Sequence, residues 1–137
     1  MGRLKSELSK KNENNISKHR YYELQHHCMQ YAEWKRAAED LILHSPEQVE
    51  HTGKTNDIYD PVLNSVEKRE ALLKKINRVK DLCKEAGGDS EYYLLACVAH
   101  GYSYDSLEAR YGVLPCSRVE FYKRYRRFFK RLDEELR

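Results

Sequence analysis

The sequence predicts an all-α protein, on three observations. Apolar residues recur at helical spacing through several long stretches, and no stretch shows the alternation of apolar and polar residues that is typical of strands. Good N-cap residues and glycines bound these stretches. The composition, 40% hydrophobic and 11% aromatic with 34% charged residues, indicates a soluble helical protein with a real core. For 137 residues we expect one domain plus an extension.

The helical stretches divide the chain into four predicted segments. These are a flexible basic arm (residues 1–16), an N-terminal helical region (17–44), a loop (45–59) and a helical domain (60–137). The arm is rich in lysine and asparagine. Its charge suits contact with a phosphate backbone, but we favour the interpretation as a frayed terminus. Pro46 and Gly53 mark the loop. No signal peptide or transmembrane run is found, so we expect a cytoplasmic protein without membrane contact.

The N-terminal helical region begins at Ser17, a good N-cap. Its apolar stripe comprises Tyr21, Leu24, Cys28, Tyr31, Trp34, Ala37, Ala38 and Leu41. Apolar residues continue along the whole stripe, but a break of the helix near Tyr31 would give two helices at an angle. Its aromatic residues, together with Tyr22, have two interpretations: they form a hydrophobic core, or they are hot spots that bind a partner protein.

The sequence offers little for metal binding or catalysis. His26 and His27 project about 100° apart on a helix and cannot chelate one ion together. The four cysteines form no CxxC pair, and we interpret them as small buried side chains in a reducing compartment. Paired carboxylates and nucleophile–base spacings are also missing. We therefore predict no catalytic residue, no metal, no cofactor and no enzyme activity.

The helical domain opens with Asp60 as an N-cap and Pro61 at the first helical position. The helix that follows ends at Gly87–Gly88. Its apolar stripe consists of Leu72, Leu73, Ile76, Val79, Leu82 and Cys83, extended upstream by Val62 and Val66. So long a stripe has two interpretations. It packs in the core against the helix of Trp34, or it forms a coiled-coil seam, in which case the protein is a homodimer.

Two shorter helices lead to the C-terminal one. A helix at 91–100 has a predicted inner face of Tyr92, Leu95, Ala96 and Ala99. Ser103 caps the next helix, whose apolar edge is Tyr104, Leu107 and Tyr111, and Gly112 ends it. Val113 is expected to fill the gap before the last helix. The arrangement predicts a C-terminal helix-turn-helix, although the turn VLPCS is longer than the usual three or four residues.

The last helix is apolar on one face and cationic on the other. Ser117 and Glu120 form a capping box. The inner face consists of Phe121, Tyr125, Phe128 and Leu132, flanked by Tyr122, Phe129 and Leu136. The opposite face carries Lys123, Arg126, Arg127, Lys130 and Arg131, with Arg124 at its margin and Arg118 in the first turn. Between Ser117 and Leu132, Glu120 is the only acid.

This cationic face has three interpretations. A solvated face normally mixes both signs of charge. An acidic protein partner would also suit it, and an arginine-rich face suits phosphates and guanine edges. Because the second helix of a helix-turn-helix enters the DNA major groove, we expect double-stranded DNA as the partner. The predicted DNA-binding residues are Arg118, Glu120, Lys123, Arg124, Arg126, Arg127, Lys130 and Arg131, of which Arg118 and Glu120 lie nearest to base edges.

Four stretches resemble a known family. They are HRYYELQHHCMQYAEWKRA, the Asp60–Pro61 helix with KREALLKKI, GYSYDSLEARYGV and PCSRVEFYKRYRRFFKRLDEEL. In pattern and order they are similar to the phage and prophage late-gene transcription activators of the RinA and ArpU type, whose C-terminal helix-turn-helix is like that of sigma region 4. The resemblance implies an all-helical DNA-binding protein that activates phage genes in the bacterial cytoplasm, and host RNA polymerase is the further partner it suggests. Leu114, an additional residue before Pro115, departs from the family spacing.

The alternative function is a phage protein-interaction module or inhibitor. It would bind a host nucleic-acid-handling protein through the cationic helix or through the tyrosine-rich N-terminal region.

Overall fold

The structure, a computed structural model, describes residues 16–43 and 61–137. Over these ranges it contains α-helices and no strand, so the predicted all-α class is confirmed. The helices are α1 (Lys18–Met29), α2 (Tyr31–Leu43), α3 (Pro61–Gly87), α4 (Glu91–His100), α5 (Tyr104–Tyr111) and α6 (Arg118–Glu135), with a 3₁₀ turn at Gly88–Ser90. The predicted arm, apart from a buried Ile16, and the predicted loop lie outside the described residues.

Two boundary predictions concern the first helices. Ser17 Oγ accepts a hydrogen bond from the Arg20 amide at 3.3 Å, which confirms the predicted cap of α1. The break near Tyr31 is also present, because α1 ends at Met29 and α2 begins at Tyr31.

None of the helices in the described ranges combines the length and the apolar character that a bilayer crossing requires.

The chain forms two compact units, 1–30 with 78–137, and 31–77. The described part of the first unit contains α1, the C-terminal end of α3, and α4 to α6. In it, α1 packs against α4 and α6, and α4 packs against α5 and α6. Its fully buried side chains include Leu24, Cys28, Val79, Cys83, Leu94, Leu107, Phe121, Phe128, Phe129 and Leu132.

The inner face of α4 follows the prediction at Ala96 and Ala99, which are buried, and differs from it at the other two positions. Tyr92 is 59% exposed and Leu95 is half-buried, whereas Leu94, Cys97 and Val98 are buried. The reason is that α1, α5 and α6 all pack on this short helix, so it is enclosed on most sides and no single stripe describes it.

The turn between α5 and α6 also corrects one prediction. Val113 is 91% exposed, and Leu114 is the buried residue that fills the gap between the helices. Gly112 has φ 83° and ψ −156°, a conformation that is essentially restricted to glycine. The chain therefore changes direction at Gly112 in a way that turns Val113 outward and Leu114 inward.

Polar contacts of two tyrosines fix α5 against α6. The Tyr104 amide donates to the Tyr122 hydroxyl at 3.1 Å, and the Tyr104 hydroxyl donates to the Cys116 carbonyl at 2.8 Å. The Tyr104 ring also stacks edge-on against Phe121, with 5.6 Å between centroids. Because these contacts join the start of α5 to the turn and to the first turns of α6, the angle between the two helices is set by more than apolar packing.

The second unit pairs α2 with the first part of α3, up to Asn77. Its buried side chains in the described ranges are Tyr31, Trp34, Ala38 and Ile76. Lys75 of α3 lies over the Trp34 ring, with its ammonium 5.7 Å from the centroid. This favours packing against the helix of Trp34 for the part of the stripe that lies in this unit, whereas Val79, Leu82 and Cys83 are buried residues of the first unit. Val66, which we placed on that stripe, is exposed instead.

Candidate nucleic-acid interface

The predicted inner face of α6 is present. Phe121, Tyr125, Phe128 and Leu132 are buried, and so is the flanking Phe129. The rings of Tyr125 and Phe129 meet edge to face at 4.8 Å between centroids. Tyr122 and Leu136, which flank this face, are half-buried. This packing fixes the rotation of α6 about its own axis, and therefore determines which of its cations point away from the protein.

The N-terminus of α6 has one half of the predicted capping box, the bond to the Ser117 side chain. Ser117 Oγ accepts from the Glu120 amide at 3.2 Å. The Glu120 carboxylate accepts from Arg124 Nε at 3.3 Å, four residues along the same helix. Glu120 therefore contributes to the cap through its backbone, while its side chain is held by a neighbouring cation.

Four basic residues make up the outward cation face of α6: Lys123, Arg126, Arg127 and Lys130. Lys123 and Arg127 are exposed, and Arg126 and Lys130 are half-buried. Among the residues that the structure describes, Lys123, Arg127 and Lys130 have no carboxylate partner. The acids of this helix lie at its ends, so none lies between Lys123 and Lys130 along α6.

Arg124, at the margin of the predicted face, is engaged inside the protein. Its guanidinium donates to the Gly87 carbonyl at 2.8 Å and to Asp89 Oδ1 at 2.5 Å. The hydrogen bond with Asp89 raises the pKa of Arg124 above its ordinary value, and the same contact lowers the pKa of Asp89. Because Gly87 is the last residue of α3, Arg124 satisfies a carbonyl at a helix C-terminus and ties α6 to α3.

Arg118 and Arg131, predicted DNA contacts at the two ends of α6, are also paired. Arg118 forms a two-pronged salt bridge with Asp105 of α5, and its guanidinium lies 5.2 Å from the centroid of the Tyr104 ring. Arg131 donates to Glu85 at 3.0 Å and has Glu134 at 3.7 Å. The Arg118–Asp105 pair is largely solvent-exposed, so a phosphate can compete for Arg118, whereas Arg131 is half-buried among three carboxylates.

One important polar residue of α6 was missed in the sequence. Asp133 is only 1% exposed, and its oxygens accept from Arg20 Nε at 2.6 Å and from Arg137 at 2.7 Å. The spacing of Asp133 and Arg137, four residues apart at the end of the helix, indicates their pairing. The pairing with Arg20 depends on tertiary structure, since it joins α6 to α1.

The cysteines do not form a reactive or metal-binding site in the described ranges. Cys28, Cys83 and Cys97 are buried free thiols, and burial raises the pKa of Cys28 and of Cys83. Over residues 16–43 and 61–137, no group of three histidine, cysteine or acidic side chains could hold a metal ion.

Comparison of the chain with protein-family models, with curated proteins and with solved structures gives no match. The features that bear on function are therefore the geometry of α5 and α6 and the charges of α6.

Proposed function

We propose that the chain is a phage-encoded transcriptional regulator that binds double-stranded DNA, with α5 and α6 as a helix-turn-helix and α6 as its recognition helix. The observation that carries the proposal is the division among the cations of α6. Arg118, Arg124 and Arg131 are paired with acids of the protein, whereas Lys123, Arg127 and Lys130 have no carboxylate partner in the described chain. A row of cations without interspersed acids is more typical of a surface that binds a polyanion than of a surface that is only solvated.

The dimensions of α6 fit this proposal. Its 18 residues extend over about 27 Å at 1.5 Å per residue, which is long enough to follow a groove. Lys123 and Lys130 are two turns apart on the same side, roughly 10 Å along the axis. Val119, in the first turn on that side, is 72% exposed and offers an apolar contact of the kind made with a thymine methyl group.

The set of DNA contacts that we propose is narrower than the sequence-based one. Lys123, Arg126, Arg127 and Lys130 contact phosphates from the outward cation face. Arg118 joins them when a phosphate replaces Asp105, because that salt bridge is solvent-exposed. Arg124 serves the fold instead, since its partners are the C-terminus of α3 and the 3₁₀ turn that follows.

The test is DNA binding by a triple variant, Lys123→Gln, Arg127→Gln and Lys130→Gln, measured by fluorescence anisotropy over a series of salt concentrations. Loss of three phosphate contacts is expected to weaken binding and to reduce the slope of log K against log [salt] by roughly three. The matched control is Lys18→Gln, Lys80→Gln and Lys84→Gln, which removes three exposed charges elsewhere in the same unit and should leave the slope almost unchanged. Equal slopes for the two variants would contradict the proposal.

A second candidate function is a protein-interaction module, and one surface of α4 and α5 favours it. The Tyr92 and Tyr111 rings stack edge to face at 5.6 Å, with 59% and 43% of the two residues exposed. Val113 is exposed just beyond them along the chain. Exposed aromatic and apolar groups of this kind are typical of interface hot spots, and host RNA polymerase is the partner that would suit an activator. The sequence also suggested the N-terminal aromatic residues for this role. Most of them lie in the hydrophobic core instead, because Tyr21, Tyr31 and Trp34 are buried.

A pull-down from host lysate separates the two functions. The interaction module is supported if host protein is captured after nuclease treatment and if the double variant Tyr92→Ala with Tyr111→Ala no longer captures it. Capture that disappears on nuclease treatment supports DNA binding as the primary activity.

A further inference from the structure

A groove of about 540 Å³ lies between α2 and α3 within the unit formed by residues 31–77. Its apolar floor is formed by Ala37 and Leu41 of α2 and by Ala71 and Leu72 of α3. Three charged residues border it: Asp40 on α2, and Lys68 and Lys75 on α3. The two alanines leave room for another helix to approach closely, and the leucines offer it apolar surface.

The surrounding unit has a small core of its own. Its buried side chains in the described ranges are Tyr31, Trp34, Ala38 and Ile76. Two helices can bury only their shared face, so a helix pair generally becomes stable by packing against further helices. Among the residues that the structure describes, the groove is an apolar surface that this helix pair leaves open.

The charges at the edge of the groove indicate its occupant. Asp40, Lys68 and Lys75 are exposed, and none of them has an ion-pair partner among the residues that the structure describes. One edge is therefore acidic and the other basic. Such a patch is complementary to itself, as the surface of a symmetric homodimer must be.

We propose that a second copy of this chain covers the groove with its own groove, with the two-fold axis running along it. Rotation about that axis places α2 of one copy opposite α3 of the other, so Asp40 faces Lys68 and Lys75 of the second copy in both halves of the interface. An axis across the groove would instead bring the two copies of Asp40 together, which repulsion disfavours. The interface holds four charged contacts around an apolar centre, the arrangement expected of a protein interface.

The test uses two charge-reversal variants whose homodimers are repulsive but whose heterodimer is complementary. In Asp40→Lys both edges of the groove are basic, and in the double variant Lys68→Asp with Lys75→Asp both edges are acidic. In an equimolar mixture, each half of the heterodimer again joins opposite charges. Light scattering after size exclusion is expected to give twice the 16.3 kDa protomer mass for the wild type and for the mixture, and the protomer mass for each variant alone.

Glu39→Lys is the control for Asp40→Lys, because it makes the same charge change at an exposed neighbouring residue that does not border the groove. It should remain a dimer. A wild-type protein of single protomer mass at micromolar concentration overturns the proposal, and so does a mixture that stays at that mass while the wild type is dimeric. These measurements contain no DNA, so their failure is distinct from a failure of the proposed DNA binding.

Discussion

Arg20 Nε lies 2.6 Å from Asp133 Oδ1, and the two residues are 113 positions apart in the sequence. The contact joins the first described helix to the last turns of α6. Asp133 is almost completely buried, and its second oxygen accepts from Arg137 at 2.7 Å, so the carboxylate is held by two guanidinium groups. The hydroxyls of Tyr21 and Tyr125, which are 2.8 Å apart, form a second contact between the same two helices. The rotation of α6 that turns its lysines outward therefore depends in part on α1.

The first prediction concerns the stability of this contact. Asp133→Asn removes the carboxylate that Arg20 contacts at 2.6 Å and leaves it the more distant one of Glu23, at 4.0 Å. We expect the free energy of unfolding to fall by about 2 kcal/mol, less than for a fully buried pair because Arg20 is partly exposed. Urea denaturation measures it. The control, Glu134→Gln, removes a neighbouring exposed carboxylate and should change stability little. Equal losses in the two variants would show that Asp133 has no special structural role.

The second prediction concerns pH. Burial alone would raise the pKa of Asp133, but the hydrogen bonds from Arg20 and Arg137 outweigh it and hold that pKa below its usual range. Because the folded pKa is lower than the unfolded one, the stabilisation by the carboxylate is complete above the unfolded pKa of about 4 and is lost as pH falls through the folded pKa. The difference in unfolding free energy between wild type and Asp133→Asn should thus be constant from neutral pH to about pH 5 and should shrink at about pH 3. A difference that grows on acidification contradicts this assignment.

The third prediction concerns Arg118 and rests on the proposed DNA binding. Asp105 occupies both prongs of the Arg118 guanidinium. Asp105→Asn removes the competing negative charge, so we expect tighter DNA binding and a salt dependence that is steeper by roughly one phosphate contact. The comparison is Asp81→Asn, which makes the same charge change at an exposed position of α3. If both variants strengthen binding equally, Arg118 is not a contact and only net charge matters.

Local chemistry explains the predictions that succeeded. Ser17, Ser103 and Ser117 cap the helices that they were expected to cap, because an N-cap is a hydrogen bond to an amide three residues away and needs no tertiary partner. Phe121 and Phe128 are buried as expected, since the periodicity of one long amphipathic helix defines its inner face.

The failures concern positions that other helices control. The sequence assigned Val113 to the gap between α5 and α6, but the backbone at Gly112 gives that place to Leu114. Tyr92 was assigned to an inner face, yet three packed helices decide which side of α4 is covered, and they leave Tyr92 exposed. Within α6 the sequence shows one uniform row of cations. Glu85, Asp89 and Asp105, which pair with three of those cations, come from elsewhere in the chain.

The sequence by itself determined the helical class, the helix caps and the two-sided character of α6, because each of these depends on residues within a few turns of one another. Only the tertiary structure decided which cations of α6 remain available and that Asp133 is buried between Arg20 and Arg137. The physical reason is that an ion pair between distant segments depends on where the fold places them, and the spacing of charges along one helix carries no information about a partner on another.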